Sequence, residues 1–184
     1  MPGRLPGLFF KLVVSNMLEN TSSVLFPQVR RRIAEMEPEA LYPWDDFTDM
    51  MQTVAARLPR ETLVSIGKRL VSEARESYAK LGFMNLEQIL SDWGALFNSF
   101  IHGAPARDLV RTESFQPGRV AIVAGIAQPA ALIEGYLRGV IEVYGAATVT
   151  SCEVKPLIIG GANYNRFVLT WIESQPRAES SLQG

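Results

Sequence analysis

The sequence predicts an α+β fold in which an amino-terminal helical layer packs on a carboxy-terminal four-stranded antiparallel sheet, ordered β-β-α-β-β. Three observations point to it. Apolar residues ahead of Gly103 recur at three-and-four spacing. Beyond Pro105 the period shortens to two, and two pairs of strand-like segments flank one helical stretch that opens at Pro129 and closes at Gly145.

From Leu5 the positions Leu8, Phe9, Leu12, Val13 and Met17 form one continuous stripe, the mark of a helix buried on one side. Pro27, Pro38 and Pro43 break the following segment into a short helix over 29–36 and a loop. Pro43, Trp44, Asp45 and Asp46 read as a helix start. Proline suits the first helical position and carboxylates stabilise the positive end of the helix dipole, so a helix to about residue 57 follows. Pro59, Leu63, Ile66, Leu70, Ala74, Tyr78 and Leu81 predict one longer helix, closed by Gly82 as a left-handed cap. Asn85 and Gln88 make a capping-box-like start for the next. Its apolar side is Leu86, Ile89, Leu90, Trp93, Leu96, Phe97, Phe100 and Ile101, and Gly103 with Pro105 stops it.

Residues 108–115 and 119–125 read as strands around the turn Gln116-Pro117-Gly118, which places Val120, Ile122 and Ala124 on one face. The helix from Pro129 carries Leu132, Ile133, Tyr136, Leu137, Val140, Ile141 and Tyr144. Two strands over 148–154 and 166–173 follow, separated by a loop with Gly160, Gly161, Asn163 and Asn165. In the last strand both alternating sets are largely apolar, Phe167, Leu169 and Trp171 against Val168, Thr170 and Ile172, which predicts cover on both faces. A single folded unit over 1–173 is expected, with 1–60 a helical subdomain and 61–173 carrying further helices and the sheet. Residues 174–184 read as a flexible polar tail.

At 184 residues and 47% hydrophobic the chain can bury a substantial core. Its 18 basic and 19 acidic residues nearly cancel, so nothing attracts the whole chain to a phosphate backbone and nucleic acid is not an expected partner. Arg30, Arg31 and Arg32 point in different directions on a helix and read as a solvated face. The single Cys152 excludes an internal disulfide and any multi-cysteine zinc site, which fits a reduced, cytoplasmic setting. The apolar stretch from Leu8 to Val14 is interrupted by Lys11 and too short to span a bilayer, so no membrane insertion is expected.

Groups placed to move protons or electrons are scarce. The only histidine, His102, stands at a predicted helix end, where it reads as a donor to the terminal carbonyls. Cys152 reads as a small buried strand residue, Asp45 and Asp46 as helix-start charges, and Gly160-Gly161 as a turn, since no G-x-G-x-x-G order or following helix accompanies it. No Walker, H-E-x-x-H or G-x-S-x-G motif is present. An enzyme is not expected, and neither is a metal or cofactor. The aromatic residues are more suggestive: Trp93, Phe97 and Phe100 share one helical stripe that Tyr136 and Tyr144 on the later helix could face. Such a cluster is either ordinary core or the wall of an apolar pocket.

The order of elements from Trp44 to Ile172 resembles the heme-nitric oxide/oxygen binding domain and its heme-free relatives, the 4-vinyl reductase-like small-molecule-binding family. The resemblance is carried by the early Leu8 to Met17 helix, Tyr42-Pro43-Trp44-Asp45-Asp46, Ile101-His102-Gly103-Ala104-Pro105, and Ile133-Glu134-Gly135-Tyr136-Leu137-Arg138-Gly139 leading into Tyr144-Gly145. In the heme-binding family a histidine before the helix end ligates iron and a Tyr-x-Ser-x-Arg motif holds the propionates. Here the histidine position falls near Gly94, and the propionate segment, around Val123 to Ala127, reads Val-Ala-Gly-Ile-Ala. The resemblance therefore implies a heme-free member with an apolar cavity between helical layer and sheet, whose occupancy alters contact with an effector. The relatives' sheet cysteines are reduced here to Cys152, which disfavours a metal or cluster.

The expectation is a sensory or ligand-binding module for a small apolar molecule, with candidate ligand-binding residues Trp93, Phe97, Phe100, Tyr136 and Leu137, working with a signalling partner or by self-association as a homodimer. The alternative is an interaction or assembly scaffold of the same fold with no ligand. Reduction of a tetrapyrrole vinyl group, suggested by a family name alone, lacks any flavin, nicotinamide or cluster motif to supply electrons.

Overall fold

The computed structural model describes residues 3–101, 103 and 110–173. Pro6, held extended at φ −58° and ψ 143°, turns the chain from a short strand β1 (Arg4–Pro6) into α1 (Gly7–Glu19). β1 pairs antiparallel with β2 (Leu41–Pro43). Strands of three residues carry no readable period, and this small sheet has no counterpart in the sequence reading.

Between them lies α2 (Pro27–Glu35), and α3 (Trp44–Ala55) follows β2 with Asp45 and Asp46 in its first turn. The three arginines do not form the uniform solvated face expected of them. Arg30 donates to the Leu18 carbonyl at 2.8 Å and to the Thr21 hydroxyl at 2.9 Å, closing the carboxy-terminal end of α1, while Arg32 pairs with Asp46. Only Arg31 is left as a plain exposed position.

Two stretches expected as single helices are each broken. The first divides at Ala74 (φ −84°, ψ 0°) into α4 (Arg60–Glu73) and α5 (Arg75–Lys80), and Gly82 closes it at φ +89° as expected. The second divides at Asp92 (φ −138°, ψ 65°) into α6 (Leu86–Ser91) and α7 (Trp93–Phe100). Asp92 caps α7 by accepting from the Ala95 amide at 2.9 Å, and the Thr112 hydroxyl fills the gap in the ladder. It donates to the Leu90 carbonyl at 2.8 Å and accepts from the Trp93 amide at 3.1 Å.

The sheet comprises β3 (Val110–Gln116), β4 (Arg119–Gly125), β5 (Ala147–Ile159) and β6 (Ala162–Glu173), with α8 (Ala130–Gly145) between the two hairpins. Its order is β3-β4-β6-β5 and every pair is antiparallel, with Ile122 opposite Phe167. The second hairpin is longer than the sequence suggested: the expected loop over 155–165 is mostly strand, paired as far as Ile159 opposite Ala162. Gly160 and Gly161, at φ +57° and +82°, make the tight primed turn that matches strand twist. Pro156 is tolerated because β5 is an edge strand.

α8 covers one face of the sheet, so the expectation that β6 is covered on both is corrected. Phe167, Leu169 and Trp171 are buried, whereas Ile172 is 61% exposed. α8 also ends one residue later than expected, since Ala146 and not Gly145 takes the left-handed conformation, at φ +45°. Gly145 serves packing instead: a Cβ there would lie 2.7 Å from Leu86 Cδ2.

Buried side chains form two clusters. One joins α1, α2, α3 and the start of α4 around Phe10, Met17, Trp44 and Met51. The other joins the sheet, α6, α7 and α8 around Ile122, Leu137, Phe167 and Leu169. Along their junction α4 and α8 meet at backbone distance, because a Cβ on Gly67 would stand 2.8 Å from the Gly135 Cα. The readings made for His102, for residues 108 and 109, and for the tail over 174–184 fall outside the described residues. Among the described residues no helix is long and apolar enough to cross a membrane.

Candidate functional site

Where the two clusters meet on the other side of α8, packing leaves a cavity of about 110 Å³. Phe9, Leu12 and Val13 of α1 and Trp44 and Phe47 of α3 form one wall. Leu70, Ala74 and Tyr78 of α4 and α5, Trp93, Leu96, Phe97 and Phe100 of α7, and Ile133 and Tyr136 of α8 form the other. The rings meet edge-on more than face-on: Phe9 and Phe100 lie 4.7 Å apart at 61°, Trp44 and Phe97 5.7 Å apart at 85°. For scale, a buried apolar hole of ~150 Å³ can hold one benzene.

Of the five residues singled out in the sequence, Trp93, Phe97, Phe100 and Tyr136 line this cavity. Leu137 does not. It is fully buried in the sheet-side cluster, because consecutive residues on a helix point about 100° apart and Tyr136 already faces the opening. Phe9, Trp44 and Tyr78 were not singled out. Each sat in a helical stripe or start that gave its local face and not its distant neighbour.

The cavity's polar groups are few and uncharged. Tyr78 and Tyr136 are half-buried, and neither hydroxyl has a hydrogen-bond partner among the described residues. Burial raises the pKa of both phenols well above the ordinary value, and each is raised further by a neighbouring tyrosine, Tyr144 beside Tyr78 and Tyr78 beside Tyr136. Tyr144 stacks on Tyr78 with centroids 6.3 Å apart, its hydroxyl buried and unpartnered, and Arg75 stands 6.0 Å from its ring centre. Gln128 is a further polar lining group. Its loop is pinned by Gln52, whose amide donates to the carbonyls of Ile126 and Ala127 at 3.1 and 3.0 Å.

A second polar cluster lies away from the cavity. Glu134 is 2% exposed and clasped by Arg60 and Arg138, the latter at 2.8 Å. Cys152 on β5 lies close enough to feel that carboxylate. Burial first, and Glu134 next, push its thiol up to about 12, so it stays protonated and unreactive.

The positions that the resemblance assigns to heme do not fit it. Gly94 is buried, and a Cβ there would stand 2.8 Å from the Val110 carbonyl oxygen, so the backbone of β3 fills the space an imidazole needs. Val123 and Ala124 are wholly buried in β4, and the segment offers neither tyrosine nor arginine to a propionate. Among the described residues no group of three or more histidine, cysteine, aspartate or glutamate side chains could hold a metal ion.

No family model matches the sequence, and no curated protein matches it. Solved structures do. The Fe(II) unliganded H-NOX protein from K. algicida matches with a TM-score of 0.65 at 10% identity, over 94% of this chain and 99% of that one. A mutant H-NOX protein from S. oneidensis in the Fe(II) ligation state matches at 0.64 and 11%, over 93% and 98%. An oxygen-binding H-NOX domain related to soluble guanylate cyclases, in its oxygen complex, matches at 0.60 and 9%, over 94% and 100%. The fold is that of these domains.

Proposed function

We propose that this chain is a heme-free sensory module, and not an enzyme, which takes a small apolar molecule into the aromatic cavity and signals to a protein partner or a second copy. The cavity carries this reading. Its walls come from α1 and α3 on one side and α7 and α8 on the other, so filling it favours one placement of the helical layer over the sheet. A partner touching that layer reads the shift in population. The H-NOX structures of the same fold include iron-bearing and oxygen-binding proteins. Here the space at Gly94 and the residues of β4 support a binder without iron. A cytoplasmic setting suits the protonated, unpaired Cys152.

Titration with hemin, followed by an absorbance scan, is expected to give no coordinated-heme band. A melting screen against small uncharged aromatics is expected to give upward shifts that grow with concentration, about 2.7 kcal/mol of stabilisation at a hundred times Kd. A red protein in the first experiment or a flat screen in the second would overturn the proposal. The cavity's modest volume favours one second reading, a scaffold whose fold serves assembly alone. A stable dimer in light scattering together with the flat screen is its signature.

A further inference from the structure

We infer that the cavity selects an uncharged, benzene-sized molecule carrying one hydrogen-bond-accepting oxygen, an aryl ketone or similar carbonyl compound, and that the hydroxyls of Tyr78 and Tyr136 hold that oxygen. The inference rests on the binding function proposed above and specifies the ligand's chemistry. The volume of about 110 Å³, in a pocket partly open to its surroundings, limits the enclosed part of a ligand to about one ring, and the edge-on rings of Phe9, Trp44, Phe97 and Phe100 suit a flat apolar body.

Charge sets the next limit. No acidic, basic or histidine side chain is among the described lining residues, so a charged ligand would leave water with nothing to compensate it. Polarity sets the last. Half-buried hydroxyls without partners among the described residues are uncommon in a seam this apolar, and here two of them, from α5 and α8, line the same cavity, with Tyr78 near enough to raise the pKa of Tyr136. Both phenols stay protonated through the neutral range and so keep an O–H to donate. A wholly hydrocarbon ligand would cover them and leave both unsatisfied, whereas a carbonyl oxygen with two lone pairs accepts from both.

The test uses three probes of one size, ethylbenzene, acetophenone and benzoate, titrated calorimetrically into the full chain and into the Tyr78→Phe, Tyr136→Phe and double variants. Acetophenone is expected to bind about tenfold more tightly than ethylbenzene and benzoate to give no heat. The double variant should bring the ratio of acetophenone to ethylbenzene close to one, with ethylbenzene affinity rising because no hydroxyl is left unsatisfied, while the melting temperature holds, which separates loss of the hydroxyls from loss of the fold. Equal binding of the two neutral probes, a ratio unchanged in the double variant, or preference for benzoate overturns the inference and leaves the cavity's function standing. Failure of every neutral probe removes both.

Discussion

Helix α8 has two unlike flanks. Against α4 it is sealed: Gly67 and Gly135 let the backbones touch, Lys68 pairs with Glu142 at 2.6 Å, and the Glu134 carboxylate is gripped by Arg60 and Arg138. Against α7 and α1 the same helix meets bulky rings that leave space between them. The sealed flank fixes α8 to the helical layer firmly enough for the other to stay unfilled.

The largest expected effect comes from breaking the sealed flank. A Cβ on Gly135 would lie 2.9 Å from the Gly67 Cα and 3.0 Å from the Val64 carbonyl carbon, both backbone atoms that cannot move without shifting α4. Gly135→Leu is therefore expected to lose about 3 kcal/mol or more in urea unfolding, despite leucine's better helix propensity of about 1 kcal/mol. A neutral result would mean that the two flanks are equally adaptable and that the contrast between them is empty.

An effect of middle size sharpens the other flank, through pH. Tyr78 and Tyr136 have folded-state pKa values above the ordinary value of 10.0 that they regain on unfolding. The stability they contribute is complete below pH 10. It is lost above it, because only the unfolded chain releases the protons, at up to about 1.4 kcal/mol per pH unit for each phenol. Chemical denaturation between pH 9 and 11.5 should show this fall in the natural chain and a shallower one in the Tyr78→Phe, Tyr136→Phe double variant. The remainder belongs partly to Cys152, raised from 9.0 to about 12. A slope that the double variant leaves unchanged would show that the aromatic flank is not where the alkaline weakness lies.

The contrast between the flanks was only half legible in the sequence. The stripes through Trp93, Phe97, Phe100 and Tyr136 announced an aromatic surface because helical period is a local property. Which surface would meet it is not local. Phe9 arrives from α1 and Tyr78 from beyond the kink at Ala74, brought in by packing over long chain separations. Gly67 carries no signal in the sequence, since its close approach to Gly135 shows only once α4 and α8 are side by side. The break at Asp92 was hidden for a similar reason. The apolar stripe runs through it, and the hydroxyl that repairs the ladder belongs to Thr112 on β3. Gly160-Gly161 reads correctly as a turn, but Pro156 disguises the edge strand that leads into it as a loop.

The smallest expected effect tests whether the flanks are independent. Ala146 closes α8 at φ +45°, a conformation that a Cβ makes unfavourable by roughly 1–2 kcal/mol, and it is exposed, touching neither flank's chemistry. Ala146→Gly is expected to gain about 1 kcal/mol after the extra freedom of the unfolded chain is counted, raising the melting temperature by about 2–4 °C. Because the substitution only firms the end of α8, the alkaline slope and the response to ligand should stay as they were. If either moves with it, anchorage at the helix terminus and the openness of the aromatic flank are a single property. The void would then be held open by α8 as a whole, and not by the glycine seam alone.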